Sequence, residues 1–317
     1  MFTGVLKQIK KTMKNLNKSS RWSKIVLFLG ITLILVIINN RNQPLHEGYN
    51  GIGQTEKFVS KSQTDVFDSF YTSIYDDLVY DQLRNNFEIG EIVRITKPTS
   101  QSLILVLGSR TGRFVNDLSQ KGIKAIGVDD APNMIAFAKR KYPGLEFKTG
   151  NATETILFPV NTFTHITALY FTIYYIKNKA QFFKNCIGWL RPGGYLVLHL
   201  VNRDKFDPIL NTADPIHLVS AQKYAKKRLI KSLIKFKDFN YKAVFNLHKD
   251  KNSADFVETI TDDKTKNVRQ NTHHFYMPTQ KSILSLAKSA GFILQGKVDM
   301  VSTQYEYQYL YILYKPQ

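Results

Sequence analysis

From residue 98 onward, short and almost wholly apolar runs alternate with segments of helical periodicity. The apolar runs predict strands at residues 103–107, 124–128, 145–148, 163–169 and 194–201, and the segments between them predict helices at 112–121, 132–141 and 179–191. Strands that alternate with helices form βαβ units, so the pattern predicts an α/β fold with a mostly parallel, doubly wound sheet. A helix at 279–290 is followed by two strands, 292–300 and 305–314, with no helix between them. These two strands predict an antiparallel hairpin that closes one edge of the sheet.

Residues 204–277 form an insertion that this alternation does not require. Within it, residues 239–249, 253–263 and 266–277 predict three strands of an antiparallel layer, and residues 221–237 predict a basic amphipathic helix before them. We expect this insertion to cover the carboxyl ends of the main strands, because α/β sheets bind their ligands there.

The amino-terminal part differs in composition from the rest. A basic segment, residues 1–24, precedes the uncharged and apolar run 25–40, and residues 41–62 predict a linker to a domain spanning 63–317. The run favours a single-pass transmembrane anchor and hence a membrane location, although its 16 residues cover only about 24 Å of a hydrocarbon core about 30 Å thick. A cleaved signal peptide and a buried helix are the alternatives.

The chain is strongly basic, with 44 Lys and Arg residues against 25 Asp and Glu residues. Such a surface attracts anionic lipid, nucleic acid or acidic substrates. The predicted helix around Lys226–Lys235 is either a solvated face or a site for anionic lipid near the anchor; nucleic acid is the third option, since no stacking aromatics accompany the cations. The histidines lack the spacing and acidic partners of a metal site, so no metal is expected. The single cysteine, Cys186, excludes internal disulfides and is expected to be a buried thiol.

A glycine-containing turn, "LGSRTGRF", follows the first strand of the large domain. Gly108 permits a positive φ angle or a close ligand approach, and Gly112 opens the next helix, whose amino terminus favours negative charge. About 20 residues further on, Asp129 ends the second strand, where it can bind a ribose hydroxyl pair. The alternative is structural: Gly112 allows tight packing and Asp129 caps the following helix.

These residues and several later stretches resemble the class I S-adenosylmethionine-dependent methyltransferases. The resemblance covers roughly residues 64–317 and rests on "LVLGSRTGRF", "GVDDAPNMIAFAKRKYP", "KTGNATE", "NTFTHITALYFTIYYI", "WLRPGGYLVLHL" and "SILSLAKSAGFIL". It implies a Rossmann-like seven-stranded sheet of order 3-2-1-4-5-7-6 with an antiparallel last strand, and S-adenosyl-L-methionine as the cofactor. The cofactor-binding residues that it implies are Gly108, Ser109, Arg110, Thr111, Gly112, Asp129, Asp130, Asn151, Ala152 and Tyr170.

Four positions depart from the family pattern. Val106 stands where the family has an acid, Arg110 where it has the middle glycine, and Asn151 and Thr164 where it has aspartates. The amide oxygen of Asn151 can still accept a hydrogen bond from an adenine amine. Arg110 either pairs with the methionine carboxylate or fills the pocket.

Methyl transfer requires mainly alignment of the nucleophile and exclusion of water, so the resemblance implies no obligatory catalytic residue. The candidates for contact with the acceptor are Tyr174, Tyr175, Asn202, Arg203, His273 and His274. The first functional hypothesis is a membrane-anchored methyltransferase acting on a small-molecule, lipid or membrane-associated acceptor. The alternatives are a non-catalytic structural or assembly protein with this fold, and an RNA or protein methyltransferase.

Overall fold

The computed structural model describes residues 20–41, 54–210, 225 and 227–317, and the chain divides into two compact units, 1–49 and 50–317. In the first unit, helix α1 spans Arg21–Arg41. Among the described residues, no helix is both long and apolar enough to cross a membrane. The predicted anchor at 25–40 is therefore not supported; its uncharged run is about 24 Å long, shorter than the hydrocarbon core. Residues 1–19 and 42–53 lie outside the described part of the chain.

The second unit contains two sheets and the helices that pack on them. The helices are α2 (Ser69–Val79), α3 (Gln82–Thr96), α4 (Arg113–Gln120), α5 (Pro132–Lys141), α6 (Thr172–Tyr175), α7 (Lys179–Trp189) and α8 (Gln280–Ser289). The strands are β1 (Phe58–Ser62), β2 (Leu103–Leu107), β3 (Lys124–Asp129), β4 (Glu146–Thr149), β5 (Phe163–Ala168), β6 (Leu190–Val201), β7 (Lys231–Lys235), β8 (Phe239–His248), β9 (Ser253–Asp262), β10 (Val268–Tyr276), β11 (Ile293–Asp299) and β12 (Gln308–Tyr314).

The larger sheet has seven strands in the order β4-β3-β2-β5-β6-β12-β11. The pairs from β4 to β6 are parallel, whereas β12 is antiparallel to both β6 and β11. Numbered along the chain within this sheet, the order is 3-2-1-4-5-7-6, with strand seven antiparallel. The predictions of a parallel α/β core and a late antiparallel hairpin are confirmed.

The side chains of β2 are buried on both faces of this sheet. Leu105 and Leu107 belong to a hydrophobic cluster that includes Phe183 of α7 and Ala287 of α8. Ile104 points to the other face, into a cluster with residues of α3, α4 and α5. An aliphatic run is stable in this position because alternate side chains are buried against helices on opposite faces of the sheet. Cys186 of α7 is buried as predicted, and burial raises the pKa of its thiol.

The second sheet has the order β1-β10-β9-β8-β7. Its three long strands, β8, β9 and β10, confirm the antiparallel layer predicted for the insertion. Strand β1 pairs in parallel with β10, so residues 58–62 are not part of a linker as predicted. Strand β1 forms because its backbone hydrogen-bonds to the edge strand β10, more than 200 residues later in the chain. A local sequence pattern does not reveal such a pairing.

The predicted basic helix at 221–237 is wrong for the residues that the structure describes there. Residues 231–235 form β7, in which Ser232 is buried and Leu233 is 69% exposed, as a strand of period two requires. Arg228 donates hydrogen bonds to the carbonyls of Arg203 and Phe206. A helical face of cations for anionic lipid is therefore absent from the described part of this segment.

Gly112 allows a test of how tightly the helices pack on the sheet. An alanine Cβ at Gly112 would lie 2.6 Å from the Phe147 ring, and the φ angle of Gly112 is +83°. Gly122 has a similar φ of +74°, but an alanine Cβ there would have nothing within 4 Å, so this position isolates the backbone effect. We expect Gly122→Ala to lower the free energy of unfolding by about 1 kcal/mol and Gly112→Ala by a further 1–3 kcal/mol or so, measured by urea denaturation. Equal losses would contradict the packing role of Gly112.

Candidate functional site

Three cavities meet at the turn that follows β2. The edge cavity has a volume of about 370 Å³ and lies at the carboxyl ends of the strands, lined by Asp129, Asp130, Asn151 and Ala152 among others. The aromatic cavity lies between the main sheet and the second sheet, and the residues that line it include Tyr71, Phe171, Tyr175, Phe256, His273 and Phe275. The helix-side cavity is lined by Arg84, Glu88, Val106, Ser109 and Thr111, together with neighbouring residues. Gly108 and Arg110 line all three.

The glycine turn has positive φ angles at two positions, and one of them is not a glycine. Gly108 has a φ angle of +70°, and a Cβ at this position would lie 2.3 Å from Oγ1 of Thr172. Arg110 has a φ angle of +49°, which is uncommon for a residue with a side chain. The backbone N–H of Arg110 donates a 3.0 Å hydrogen bond to Oδ2 of Asp129, and this bond holds the turn against the end of β3.

The side chain of Arg110 lies where the edge and aromatic cavities meet. Its guanidinium is 3.5 Å from Oδ1 of Asp129 and lies over the rings of Phe67 and Tyr175, at 4.2 and 4.8 Å from their centroids. Only 13% of the side chain is exposed. Arg110 thus occupies an aromatic and acidic environment that would suit any cation of similar size.

Asp129, at the end of β3, lies beside the edge cavity and is also hydrogen-bonded in the turn that follows. Its Oδ1 accepts a 3.0 Å hydrogen bond from the N–H of Ala131, which is the N-cap residue of α5, so Asp129 holds the turn before the helix but does not itself cap the helix. It also lines the edge cavity, although only 2% of the residue is exposed. Burial raises the pKa of the adjacent Asp130, with Asp129 as a second cause.

Asn151 differs from expectation in its hydrogen bonding. Its Oδ1 already accepts bonds from the N–H and the hydroxyl of Thr153, at 2.9 and 2.7 Å. The amide nitrogen is therefore the group that Asn151 can offer to a ligand in the edge cavity. Ala152 lies beside it in the same lining.

The other predicted cofactor residues lie around the turn rather than in the edge cavity. Ser109 and Thr111 line the helix-side cavity, and the hydroxyl of Thr111 donates a hydrogen bond to Asp76. Tyr170 lines the aromatic and helix-side cavities. Gly112 packs under the Phe147 ring, as the structural alternative predicted.

Among the six residues predicted to contact an acceptor, the structure brings two together. The hydroxyl of Tyr175 lies 2.9 Å from Nδ1 of His273, and both residues line the aromatic cavity. His274 points to the opposite face of β10 and contacts Asp255 at 2.7 Å, because successive side chains of a strand alternate.

The remaining three candidates have structural roles. Tyr174 is fully buried in the core, where its hydroxyl accepts a hydrogen bond from the N–H of Val201. The side chain of Asn202 accepts from the N–H of Asp204. Arg203 donates to the carbonyl of Met277 and to Asn252. None of the three is among the residues that line the aromatic cavity.

A buried carboxylate that the sequence analysis missed organises the aromatic cavity. Glu258 of β9 is 1% exposed and accepts hydrogen bonds from the hydroxyls of Tyr71 and Tyr241, at 2.6 and 2.5 Å. Its other oxygen accepts a bond from Asn271 and lies 3.0 Å from Nε2 of His273. One feature of the sequence could have identified Glu258. It is an acidic residue two positions before Ile260, so it lies on the same inward face of a predicted strand as this apolar residue.

The network lowers the pKa of Glu258. Burial alone would raise it, but His273 and the hydroxyls of Tyr241 and Tyr71 outweigh burial. Burial raises the pKa of Tyr175 well above its usual value, although Arg110 opposes this, so the Tyr175 phenol remains protonated near neutral pH.

Comparison with known proteins agrees with this architecture. Residues 105–198 match the family model of the methyltransferase domain. Demethylmenaquinone methyltransferase of Chlorobaculum parvum is 32% identical over 104 residues, which cover 32% of this chain and 42% of that protein. The chain thus spans about two fifths of the length of the curated relatives it matches.

Two solved structures have the same fold over most of their length. The S-adenosylmethionine-dependent methyltransferase from Clostridium acetobutylicum superposes with a TM-score of 0.58 at 15% identity, covering 78% of this chain and 96% of that one. The CcbJ methyltransferase of Streptomyces caelestis gives a TM-score of 0.61 at 11% identity, covering 80% and 100% of the two chains. Residues 105–198 thus match a methyltransferase domain, and the fold of the chain is the one found in these two methyltransferases.

The pKa of Glu258 predicts how stability depends on pH. A carboxyl group whose pKa is lowered by folding stabilises the protein above its usual pKa, and this contribution is lost as the pH falls through the lowered value. We expect Glu258→Gln to reduce the free energy of unfolding by about 2–4 kcal/mol at pH 7, with the difference from the wild type shrinking below pH 4.5 or so. Denaturation curves from pH 7 to pH 3 measure it, with Glu91→Gln, at a partly exposed carboxylate outside this network, as the control. A difference that does not change with pH would contradict the assignment.

Proposed function

We propose that this chain is an S-adenosylmethionine-dependent methyltransferase that acts on a small-molecule acceptor bound at the aromatic cavity. One observation carries the proposal: the turn at Gly108 and Arg110 lines the edge cavity and the aromatic cavity at once. A cofactor bound along the turn can therefore reach an acceptor on the other side of it. The family match of residues 105–198 supports the same activity.

The edge cavity fits the nucleoside part of the cofactor. Its volume of about 370 Å³ lies in the range of sites for small ligands, roughly 300–1,000 Å³. Asp129 provides a carboxylate for ribose hydroxyls and Asn151 an amide for adenine. When bound, the cofactor supplies a methyl group already activated on a sulfonium, so the chain has to bind, align and exclude water.

The acceptor must lose a proton if its nucleophile is a hydroxyl or a charged amine. Tyr175, His273 and Glu258 form a chain along which that proton can move. The Tyr175 oxygen takes the proton of the acceptor while its own proton passes to Nδ1 of His273, and Glu258 stabilises the resulting imidazolium through Nε2. The low exposure of His273 and Glu258, 2% and 1% of their side chains, keeps water from competing.

The small volume of the aromatic cavity, about 100 Å³, favours a small acceptor over a macromolecule. Aromatic side chains from α2, the segment before α6, β8, β9 and β10 surround the cavity, and they include Tyr71, Phe171, Phe245, Phe256 and Phe275. An aromatic lining with a few convergent polar groups is typical of small-ligand sites. The non-catalytic alternative rests on Val106, Arg110 and Thr164, and labelled methyl transfer to any acceptor would refute it.

Arg110 provides the first test of the cofactor site. Its guanidinium pairs with Asp129 and brings a positive charge close to where a sulfonium would lie, so its removal frees the carboxylate and relieves repulsion. Glycine also suits the φ of +49° at this position. We expect Arg110→Gly to tighten binding of S-adenosylmethionine about tenfold by calorimetry, roughly 1.4 kcal/mol, and to tighten binding of S-adenosylhomocysteine, whose sulfur carries no charge, by less.

Two results would count against this view of Arg110. Weaker binding by Arg110→Gly would make the guanidinium a cofactor contact. No binding of either nucleoside to the wild-type chain at millimolar concentration would remove the proposed function itself.

The adjacent histidines provide a matched pair for the proton pathway. We expect His273→Phe to slow methyl transfer by about 10²–10⁴-fold, since it removes the proton acceptor, and to change cofactor affinity by no more than about twofold, since His273 is not among the residues that line the edge cavity. His274→Phe, on the opposite face of the same strand, should leave the rate within about twofold. The measurement is transfer of labelled methyl from S-adenosylmethionine to a small-molecule cell extract. Equal effects of the two variants would exclude His273 as the proton acceptor.

A further inference from the structure

Among the described residues, four line both the edge cavity and the aromatic cavity, and they form the junction between the two. They are Gly108, Arg110, Thr172 and Tyr175. A methyl group bound on the side of the edge cavity has to pass this junction to reach an acceptor in the aromatic cavity. Arg110 carries a permanent positive charge there. The nucleophile of the acceptor therefore has to be compatible with a neighbouring guanidinium.

The guanidinium of Arg110 has hydrogen-bond donors to offer at the junction. Its Nη1 lies 3.5 Å from Oδ1 of Asp129, which is a long hydrogen bond. Within the described part of the chain, no residue accepts a hydrogen bond from its Nε or Nη2. Contacts with the rings of Phe67 and Tyr175 hold the group in place. Arg110 can therefore donate a charge-assisted hydrogen bond to an oxygen atom of a ligand.

The charge of Arg110 stabilises an anionic oxygen at this position. Burial raises the pKa of the Tyr175 and Tyr75 hydroxyls, and Arg110 opposes the rise in both. An acceptor oxygen beside the Tyr175 hydroxyl would lie in the same field and would ionise more easily for that reason. An ammonium group in the same place would be repelled by the guanidinium. Arg110 thus favours an oxygen nucleophile over a charged amine.

The acidic groups described around the aromatic cavity already have partners. Asp207 lines the cavity, but its Oδ1 accepts a 2.9 Å hydrogen bond from the N–H of Ile209, and Arg228 is close enough to interact with its charge. Glu258 lies behind His273 at 3.0 Å and accepts further hydrogen bonds from two tyrosines and an asparagine. Neither carboxylate is therefore an unpaired partner for an ammonium group.

The proton pathway narrows the choice of oxygen nucleophile. A carboxylate needs no base near neutral pH, because its pKa is about 4. An aliphatic alcohol is nearly as weak an acid as water, whose pKa is about 15.7, and is beyond the reach of a histidine whose usual pKa is about 6.5. A phenol, with a pKa of about 10 like that of tyrosine, lies between these limits. Proton transfer to His273 is feasible for a phenol when a guanidinium stabilises the anion.

The size of the aromatic cavity agrees with a single ring. Its volume is about 100 Å³, and an apolar cavity of roughly 150 Å³ in another protein binds benzene. The side chains of Phe171, Phe245 and Phe275 line it, and aromatic rings attract one another in edge-to-face and offset-stacked arrangements. An aromatic acceptor is therefore complementary to the lining as well as to the charge at the junction.

We propose that the acceptor is a phenol with a single aromatic ring, and that Arg110 is a catalytic residue that donates a hydrogen bond to its oxygen. The phenol proton passes to the Tyr175 oxygen while the Tyr175 proton passes to Nδ1 of His273. The phenolate oxygen then forms a bond to the methyl carbon, the electron pair of the broken S–C bond goes to sulfur, and the two opposite charges cancel. After the ether leaves, His273 returns its proton through Tyr175 to water.

The inference rests on the proposed function, because it names the acceptor class of the same site. It also accounts for an arginine where the family resemblance implies a glycine. A guanidinium that repels a sulfonium costs cofactor affinity, but the same charge stabilises the nucleophile. The competing explanation is that Arg110 only holds the turn, and in that case its charge would not affect the ionisation of a bound phenol.

The test compares two ligands on the full chain saturated with S-adenosylhomocysteine. They are 4-fluorophenol and benzylamine, which is similar in size but carries an ammonium group near neutral pH. Calorimetry gives the two affinities, and fluorine NMR gives the ionisation constant of bound 4-fluorophenol. We expect the wild type to bind 4-fluorophenol at least about tenfold more tightly than benzylamine.

Two variants at Arg110 separate its charge from its bulk. We expect Arg110→Met, which keeps most of the bulk, to lower the ionisation constant of bound 4-fluorophenol about tenfold and to bring the two affinities within about threefold of each other. Arg110→Lys keeps the charge and should leave the ionisation constant within about threefold of the wild type. Arg94→Met removes a mostly exposed cation of α3 that lines none of the three cavities, and it should change neither quantity.

Each outcome decides for or against the inference. Wild-type protein that binds benzylamine as tightly as 4-fluorophenol overturns it, and so does an ionisation constant that Arg110→Met leaves unchanged. Protein that binds S-adenosylhomocysteine but neither ring compound also overturns it, while the proposed function stands. Protein that does not bind S-adenosylhomocysteine removes the proposed function together with the inference. If Arg110→Met does not fold, Arg110→Gly makes the same comparison without the charge.

Discussion

The carboxylate of Asp129 is the interaction on which the site depends. One oxygen accepts the N–H of Arg110 and the other accepts the N–H of Ala131, so a single side chain joins the turn after β2 to the turn after β3. A positive φ at a residue with a side chain costs roughly 1–2 kcal/mol, and these bonds offset that cost. With the turn held in this way, Gly108 and Arg110 can line all three cavities.

Glu258 has the corresponding role on the other side of the aromatic cavity. It connects β9 and β10 of the second sheet to Tyr71 of α2, which comes almost 190 residues earlier in the chain. The same layer is tied to the start of α2 by a second, partly buried ion pair, in which Arg269 donates to Asp68 at 2.8 Å. The wall that faces the main sheet is thus fixed by long-range charged hydrogen bonds, which leave His273 little freedom to move away from Tyr175.

The sequence predicted the elements whose pattern is local. Strand β2 follows from an aliphatic run with buried neighbours on both faces, and the three long strands of the second sheet follow from apolar alternation. Strand β1 could not be predicted in the same way, because it forms only by pairing with β10. For β7, apolar and basic residues fit both helical and strand spacing over five positions, and the partner strand β8 decides between them.

The positions of the site residues likewise depend partly on local sequence pattern and partly on long-range contacts. The alternation of β10 separates His273 from His274, but which of them faces the cavity depends on the register with β9. Glu88 belongs to no motif, and its place beside the turn after β2 depends on how α3 packs against the sheet. Tertiary contacts of this kind have no signature in the order of the residues.

The four departures from the family pattern have different structural consequences, so they are expected to affect activity differently. Thr164 accepts from the N–H of Leu103 and donates to its carbonyl, so it joins β5 to β2 away from the cavities. Asn151 keeps its place in the edge cavity with a donor instead of an acceptor. The loss of an acid at Val106 coincides with a buried acid from α3 in the same cavity. Arg110 alone brings a new charge to the turn. Because its aromatic and acidic surroundings could also hold another cation, the competition between this guanidinium and a sulfonium is the property that most distinguishes this site.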